Sequence, residues 1–85
     1  MTEKEIELLK FEKIYVSSQE SGDKPFRYYV YKIVNGLELI SNANTEIDNE
    51  DEWYVEFFDT FPAIRFSKFE DVQSLLNTIE KQIIK

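Results

Sequence analysis

The chain contains neither cysteine nor histidine in its 85 residues. It can therefore form no disulfide, no thiolate nucleophile, no Cys/His zinc site and no haem ligand pair. Histidine is also the most common general acid–base side chain, so catalysis would have to rely on carboxylates, tyrosine, lysine or a hard metal ion. We therefore expect a protein that is not an enzyme and that carries no cofactor.

Glycine, proline and long apolar runs are scarce as well. Two Gly and two Pro in 85 residues argue against disorder and low complexity. No apolar run approaches the roughly 18 residues of a transmembrane helix, and the acidic start MTEKEIELL lacks the basic region of a signal peptide. We expect a cytoplasmic protein with one globular domain over residues 1–85, whose core draws on 13 aromatic residues.

The central feature is a hairpin signal, FRYYVYKIVNGLELIS, at residues 26–41. Asn35 and Gly36 accept the positive φ angles of a type I′ turn, and apolar runs flank them. With Val34 facing Leu37, one face carries Tyr28, Val30, Lys32, Val34, Leu37, Leu39, Ser41 and Ala43. The other face carries Tyr29, Tyr31, Ile33, Glu38, Ile40 and Asn42. The first face suits a core, whereas the tyrosine-rich face is either covered by a helix or left for a partner, because aromatic residues are enriched at interfaces.

Another strand is predicted before this hairpin. The run FEKIYVS at 11–17 alternates in the manner of a strand, and the Ser-, Gly-, Asp- and Pro-containing stretch 18–25 predicts a loop. The expected arrangement is a three-stranded antiparallel meander over 11–17, 26–34 and 37–42.

A second hairpin is predicted from WYVEFF at 53–58 and AIRF at 63–66. In one register Glu56 lies opposite Arg65, and such a pair stabilises a sheet by a few tenths to about 1 kcal/mol. The same register places Val55, Phe57, Ile64 and Phe66 together on the other face. Phe61 then lies at the tip of the hairpin.

Two helices complete the predicted fold. Thr2 and Glu5 fit a capping box for a short helix over 3–10, and Ser67 and Glu70 fit another for a long C-terminal helix. The apolar positions of the long helix are Val72, Leu75, Leu76, Ile79 and Ile83, which share one face. This stripe would cover the second hairpin or, alternatively, form a dimerisation seam. The predicted class is α+β, with an antiparallel sheet of about five strands and the long helix on one face.

The net charge of −7 is concentrated in one segment. Residues 41–66 carry seven acidic side chains and one basic side chain, a net charge of −6, whereas 1–40 and 67–85 carry −1 and 0. Direct nucleic-acid binding is disfavoured because phosphate contacts need a basic patch. A protein partner with a basic surface is the better match.

The main functional hypothesis is therefore an acidic protein-interaction module. In its strongest form it is an inhibitor that presents carboxylates where a nucleic-acid-binding partner expects phosphates, with aromatic side chains as anchors. The candidate partner-binding residues are Glu46, Asp48, Glu50, Asp51, Glu52, Asp59, Tyr29, Tyr31, Tyr54 and Phe61. In size and acidity the chain resembles small phage-encoded inhibitors such as anti-CRISPR proteins, a resemblance in gross properties that no motif carries. Monomer and homodimer both remain open.

Two alternatives use the carboxylates differently. A small-ligand or divalent-metal site could draw on residues 46–59, where alternating acids faintly resemble a calcium loop. The EF-hand pattern needs Gly at position 6 and Glu at position 12, and counting from Asp48 these positions hold Trp53 and Asp59. An enzyme would need a carboxylate pair such as Glu38 and Glu56.

Overall fold

A computed structural model describes residues 1–83 of the chain. Its five strands are β1 (Glu12–Val16), β2 (Phe26–Val34), β3 (Leu37–Ser41), β4 (Val55–Phe57) and β5 (Arg65–Phe66). They form one antiparallel sheet in the order β1-β2-β3-β4-β5, so neighbours in the sheet are also neighbours along the chain. The predicted α+β class, the meander and both hairpins are confirmed.

Three helices accompany the sheet: α1 (Glu3–Leu8), α2 (Ser18–Ser21) and α3 (Phe69–Gln82). The predicted capping box of α1 is present, since Thr2 Oγ1 accepts from the Glu5 amide and the Glu5 carboxylate accepts from the Thr2 amide. The segment predicted as a plain loop contains α2, a single turn. Ser17 caps α2 through its side chain, and Gly22 ends it with a φ of 73°.

The polar connection after β3 contains two short 3₁₀ turns, Asn44–Glu46 and Glu50–Glu52. Ile47 lies between them, half-buried against the core. This contact holds the connection against the core.

The predicted capping box of α3 is wrong. The helix is capped at Lys68, one residue later than expected, and no side chain makes the capping bond. Ser67 has another partner, because its carbonyl accepts a 2.9 Å hydrogen bond from the amino group of Met1. The same amino group donates to the carbonyls of Asp51 and Trp53 at 3.0 Å each, so it joins three distant segments.

The predicted register of the central hairpin holds only beside its turn. Val34 pairs with Leu37 as expected, but Gly36 has a positive φ of 85° and Asn35 does not, so the predicted type I′ turn is wrong. The register then shifts at Ile33. Beyond this bulge the observed pairs are Lys32–Glu38, Tyr31–Leu39 and Val30–Ile40. A one-residue slip moves every side chain to the opposite face relative to its partner strand. The two faces predicted from the turn are therefore wrong from the bulge onward.

The tyrosine side of β2 belongs to the core. Tyr29 is 1% exposed and Leu39 is fully buried, and the Tyr29 ring meets the Trp53 ring edge-on at 5.7 Å between centroids. The core cluster consists of Met1, Ile6, Leu9, Phe11, Tyr29, Leu39, Trp53, Val55, Val72 and Leu76. It includes residues of both α1 and α3, so both helices pack on the same face of the sheet. Of the apolar stripe of α3, Val72 and Leu76 are thus buried in the core and Leu75 packs against it.

The second hairpin has the predicted register. Val55 pairs with Phe66, and Glu56 pairs with Arg65. The strands are shorter than expected, so Ile64 lies outside β5 and stays 49% exposed instead of being covered by the helix. Phe61 is fully exposed at the hairpin tip, as predicted.

The bulged register predicts unequal roles for two adjacent tyrosines. Tyr29→Ala should lower the free energy of unfolding by about 3–5 kcal/mol, because it removes a ring from the closed core. Tyr28→Ala removes a half-buried ring from the opposite face and should cost about 1–2 kcal/mol. Urea denaturation of both variants measures the difference. A larger loss of unfolding free energy for Tyr28→Ala than for Tyr29→Ala would instead support the register that the turn alone predicts.

Candidate functional site

The face of the sheet opposite the helices carries both apolar and charged side chains. A row of directly paired residues crosses all five strands on this face, namely Glu12, Val30, Ile40, Glu56 and Arg65. We define the open face as the half-buried residues Ile14, Val16, Phe26, Tyr28, Val30, Ile40, Tyr54 and Glu56. Within residues 1–83, none of them belongs to the core cluster or to the side chains packed against it. The sheet thus presents a second apolar surface that α1 and α3 do not cover.

A groove of about 470 Å³ lies on the open face. Aromatic and aliphatic side chains line it, and the rings of Phe26 and Tyr28 stack at 6.1 Å with an interplanar angle of 29°. Three carboxylates line it as well, namely Glu46, Glu56 and Asp59. In the part of the chain that the structure describes, no lysine or arginine is among its lining residues. We call this feature the acidic groove.

Arg65 lies beside the groove and contacts two of its lining residues. Its guanidinium carbon is 4.0 Å from the centroid of the Tyr54 ring, and its Nε donates to Glu56 Oε2 at 3.3 Å. This ion pair is the cross-strand pair that the sequence predicts. Because the Arg65 and Glu56 side chains are 50% and 28% exposed, water screens the pair, and its contribution to stability is below about 1 kcal/mol.

The structure disperses the predicted acidic residues. Glu46 and Asp59 line the acidic groove. Glu50 instead lines a second depression, also of about 470 Å³, beside α1. Glu52 caps the second 3₁₀ turn, since its Oε1 accepts from the backbone and side-chain nitrogens of Asn49 at 2.9 Å each. Asp48 and Asp51 are exposed on the polar connection and are not among the groove's lining residues.

The predicted aromatic residues divide between the two faces of the sheet. Tyr54 lines the acidic groove, and Phe61 projects fully exposed from the hairpin tip. Tyr31 is half-buried on the helix side, where it packs against Phe11 at 5.3 Å and donates to Glu80 at 2.6 Å. The Glu80 bond and burial raise the pKa of Tyr31. Tyr29 is inside the core and inaccessible to a partner. Tyr29 is therefore covered, which corrects the expectation that it contacts a partner. Tyr31 lines a groove together with Leu76 and Ile79, and its role in partner binding stays a prediction.

Tyr29 instead takes part in a polar tie between α1 and the sheet. Its hydroxyl donates to Glu3 Oε2 at 2.7 Å, and Arg27 donates to both Glu3 oxygens at 2.6 and 2.9 Å. The Arg27 bond lowers the pKa of Glu3 against the opposing effect of burial. Burial and the Glu3 bond raise the pKa of Tyr29, so its phenol stays neutral. The cluster fixes the position of α1 rather than offering a reactive group.

Three groove residues escape prediction from the sequence: Phe26, Tyr28 and Ile40. The alternation of side chains assigns each of these residues to one side of its own strand, but it does not tell which side of β2 matches which side of β3. Joining the two strands correctly requires the bulge at Ile33, which no glycine or turn signal in the sequence marks.

The other predicted chemistries find little support in the geometry. Within residues 1–83, no group of three or more acidic side chains is placed to hold a metal ion. The proposed carboxylate pair has other neighbours, since Glu38 pairs with Lys32 across the strands and Glu56 bonds to Arg65. In the same range, no helix has the length and apolar character needed to cross a membrane.

Comparisons of the chain with protein-family models, curated proteins and solved structures find no match. The functional conclusion therefore depends on the open face and its acidic groove.

The polar tie at Glu3 predicts a pH-dependent stability. Because the folded-state pKa of Glu3 is lowered, the unfolded state binds more protons in acid, and the stabilisation present at neutral pH is lost as pH falls. The loss begins near the unfolded-state value of about 4.3 and is complete below the folded-state pKa of Glu3. Glu3→Gln should cost about 1–2 kcal/mol at pH 7 and progressively less in acid. Urea denaturation across pH measures this, with Glu7→Gln, on an exposed part of α1, as the control for losing one charge. A Glu3→Gln deficit that is the same at every pH would contradict the assignment.

Proposed function

We propose that the chain is a non-enzymatic protein-interaction module whose open face binds a basic segment of a partner protein. The observation that carries this proposal is the combination of a half-buried apolar sheet face with carboxylates around its groove. Within residues 1–83, α1 and α3 pack on the opposite face, where Tyr29 and Leu39 are buried, and none of the open-face residues packs against that core.

The apolar part of the surface supplies the anchor. Phe26, Tyr28, Ile40 and Tyr54 offer rings and aliphatic groups that a partner side chain can cover. Aromatic residues dominate the binding energy of many interfaces because they remove a large area from water with little loss of rotamer freedom. A contiguous apolar surface with a polar rim is also the usual mark of an interaction site on a folded domain.

The charged part of the surface selects the partner. Glu46, Glu56 and Asp59 line the groove, and the segment 41–66 carries a net charge of −6. Carboxylates around an apolar centre attract a basic partner during diffusion and repel an acidic one. The best match is therefore a segment in which lysine or arginine residues flank an apolar side chain.

A narrower form of the proposal is inhibition of a nucleic-acid-binding protein. The basic surfaces that such proteins use for phosphates have the charge that the acidic groove attracts. In this form nucleic acid and the chain compete for one surface of the partner. If a nucleic-acid-binding protein binds the chain and nucleic acid at the same time, this form is excluded while the broader proposal stands.

A second candidate is binding of a small organic cation. The groove volume of about 470 Å³ lies within the range of small-molecule sites. Titration with free arginine or spermidine, followed by amide chemical shifts of the open face, tests this candidate. Saturable binding of either free cation at micromolar concentration, tighter than binding of a basic peptide, would favour it.

The proposal predicts saturable binding of a dye-labelled peptide that contains arginine, lysine and one tryptophan, measured by fluorescence anisotropy. Tyr28→Ala should weaken binding about tenfold or more, because it removes an anchor from the groove. Tyr15→Ala is the matched control, since Tyr15 is 63% exposed on β1 and faces the helix side of the sheet. Equal losses in the two variants would contradict a site on the open face.

The charges of the groove predict a salt-dependent affinity for the same peptide. The double variant Glu46→Gln/Asp59→Asn should weaken binding about five- to twentyfold at low salt, and less at high salt, because mobile ions screen exposed charges. The control Glu20→Gln/Asp23→Asn removes the same charge from the exposed segment after β1. Unchanged affinity between about 50 and 500 mM salt would exclude the electrostatic part of the proposal.

A further inference from the structure

We propose that Tyr54 and Glu56 form a binding position for an arginine side chain, which Arg65 occupies until an arginine of the partner replaces it. This inference rests on the proposed function and names the side chain that the acidic groove recognises. Its basis is the geometry that the chain itself provides for Arg65.

The two contacts of Arg65 are those that favour a guanidinium group. The Arg65 guanidinium carbon lies over the Tyr54 ring at 4.0 Å, and its Nε donates to the Glu56 carboxylate at 3.3 Å. A planar guanidinium can stack on a ring while its edge donates hydrogen bonds, whereas a lysine ammonium is a compact, strongly hydrated point charge. The position is therefore better suited to arginine than to lysine.

The same two side chains belong to the acidic groove. Tyr54 and Glu56 line it together with Phe26 and Tyr28, whereas Arg65 approaches from β5, a strand of two residues. The recorded bond uses one oxygen of the Glu56 carboxylate, Oε2. A partner segment lying in the groove can therefore present its own arginine to the residues that hold Arg65.

Arg65 is held weakly enough to exchange. Its side chain is 50% exposed, and both exposed ion pairs and exposed cation–π contacts are weak. A partner arginine would regain these contacts and add those of the groove. Arg65 competes with the partner arginine for the position. The apparent affinity for the partner arginine is therefore the intrinsic affinity multiplied by the fraction of time for which Arg65 leaves the position free. Removing Arg65 should thus tighten binding by about three- to tenfold.

The experiment compares two dye-labelled peptides on the full chain by fluorescence anisotropy. The peptides are identical except that every basic residue is arginine in one and lysine in the other. Arg65→Gln should bind the arginine peptide about three- to tenfold tighter than the wild type. Lys81→Gln, on the exposed side of α3, removes the same charge away from the groove and measures the general electrostatic gain. The lysine peptide should gain no more from Arg65→Gln than from Lys81→Gln.

A further variant separates recognition from loss of stability. Arg65→Lys keeps the positive charge but removes the planar guanidinium group. It should therefore also tighten binding of the arginine peptide, but by less than Arg65→Gln, because the retained charge still competes for Glu56. The melting temperature of each variant is measured as well. If Arg65→Gln unfolds, the gain in affinity is measured on Arg65→Lys instead.

The outcomes distinguish this inference from the proposed function. If both peptides bind the wild type and Arg65→Gln gains nothing beyond Lys81→Gln, the inference is overturned while the interaction module stands. Equal gains for the arginine and lysine peptides likewise overturn it. If neither peptide binds any variant, both the proposed function and the arginine position are wrong.

Discussion

The bulge at Ile33 determines what each face of the sheet does. Beyond the bulge, on the side away from the turn, Lys32 pairs with Glu38. Tyr29 therefore lies on the same face as Leu39 and belongs to the core beneath the helices. The Glu3 carboxylate of α1 then reaches the Tyr29 hydroxyl, and Arg27 completes the polar tie. The same bulge places Tyr28 and Ile40 together on the other face. One extra residue in β2 therefore fixes both the composition of the core and the composition of the acidic groove.

The sequence predicts the parts of the fold whose signals are local. Asn35 and Gly36 mark the position of their turn although not its type, Thr2 and Glu5 cap a helix across three residues, and the Glu56–Arg65 pair fixes a register across nine. The face of the central hairpin that enters the core is not predictable in this way, because both faces are apolar and the alternation permits either choice. The start of α3 fails for a related reason. The Ser67 carbonyl bonds to an amino group 66 residues away, which no local capping rule contains.

The charge pattern of the sequence predicts part of the candidate site, whereas its aromatic pattern predicts little of it. The excess of acid in 41–66 does mark the connection and the hairpin beside the groove. Charge that is adjacent in sequence is nevertheless dispersed in space, because Glu46 and Asp59 line the acidic groove whereas Glu50 lies in a depression beside α1. Of the predicted tyrosines, Tyr29 is buried, Tyr31 is half-buried on the helix side and Tyr54 lines the groove. The rings of Phe26 and Tyr28 join Tyr54 only once the strands are paired.

An apolar face on an isolated chain carries a cost, since two copies could associate through it. The surrounding carboxylates oppose this, because a second copy presents the same negative rim and a net charge of −7. In the proposed function a basic partner would meet attraction where a second copy meets repulsion, so the same side chains that oppose self-association would also select the partner. Arg65 fits this arrangement, because it covers the Tyr54 ring and neutralises Glu56 at the exposed end of the sheet. It satisfies these two side chains in the free chain through exposed and therefore weak contacts, and in the proposed exchange an arginine of the partner would replace it.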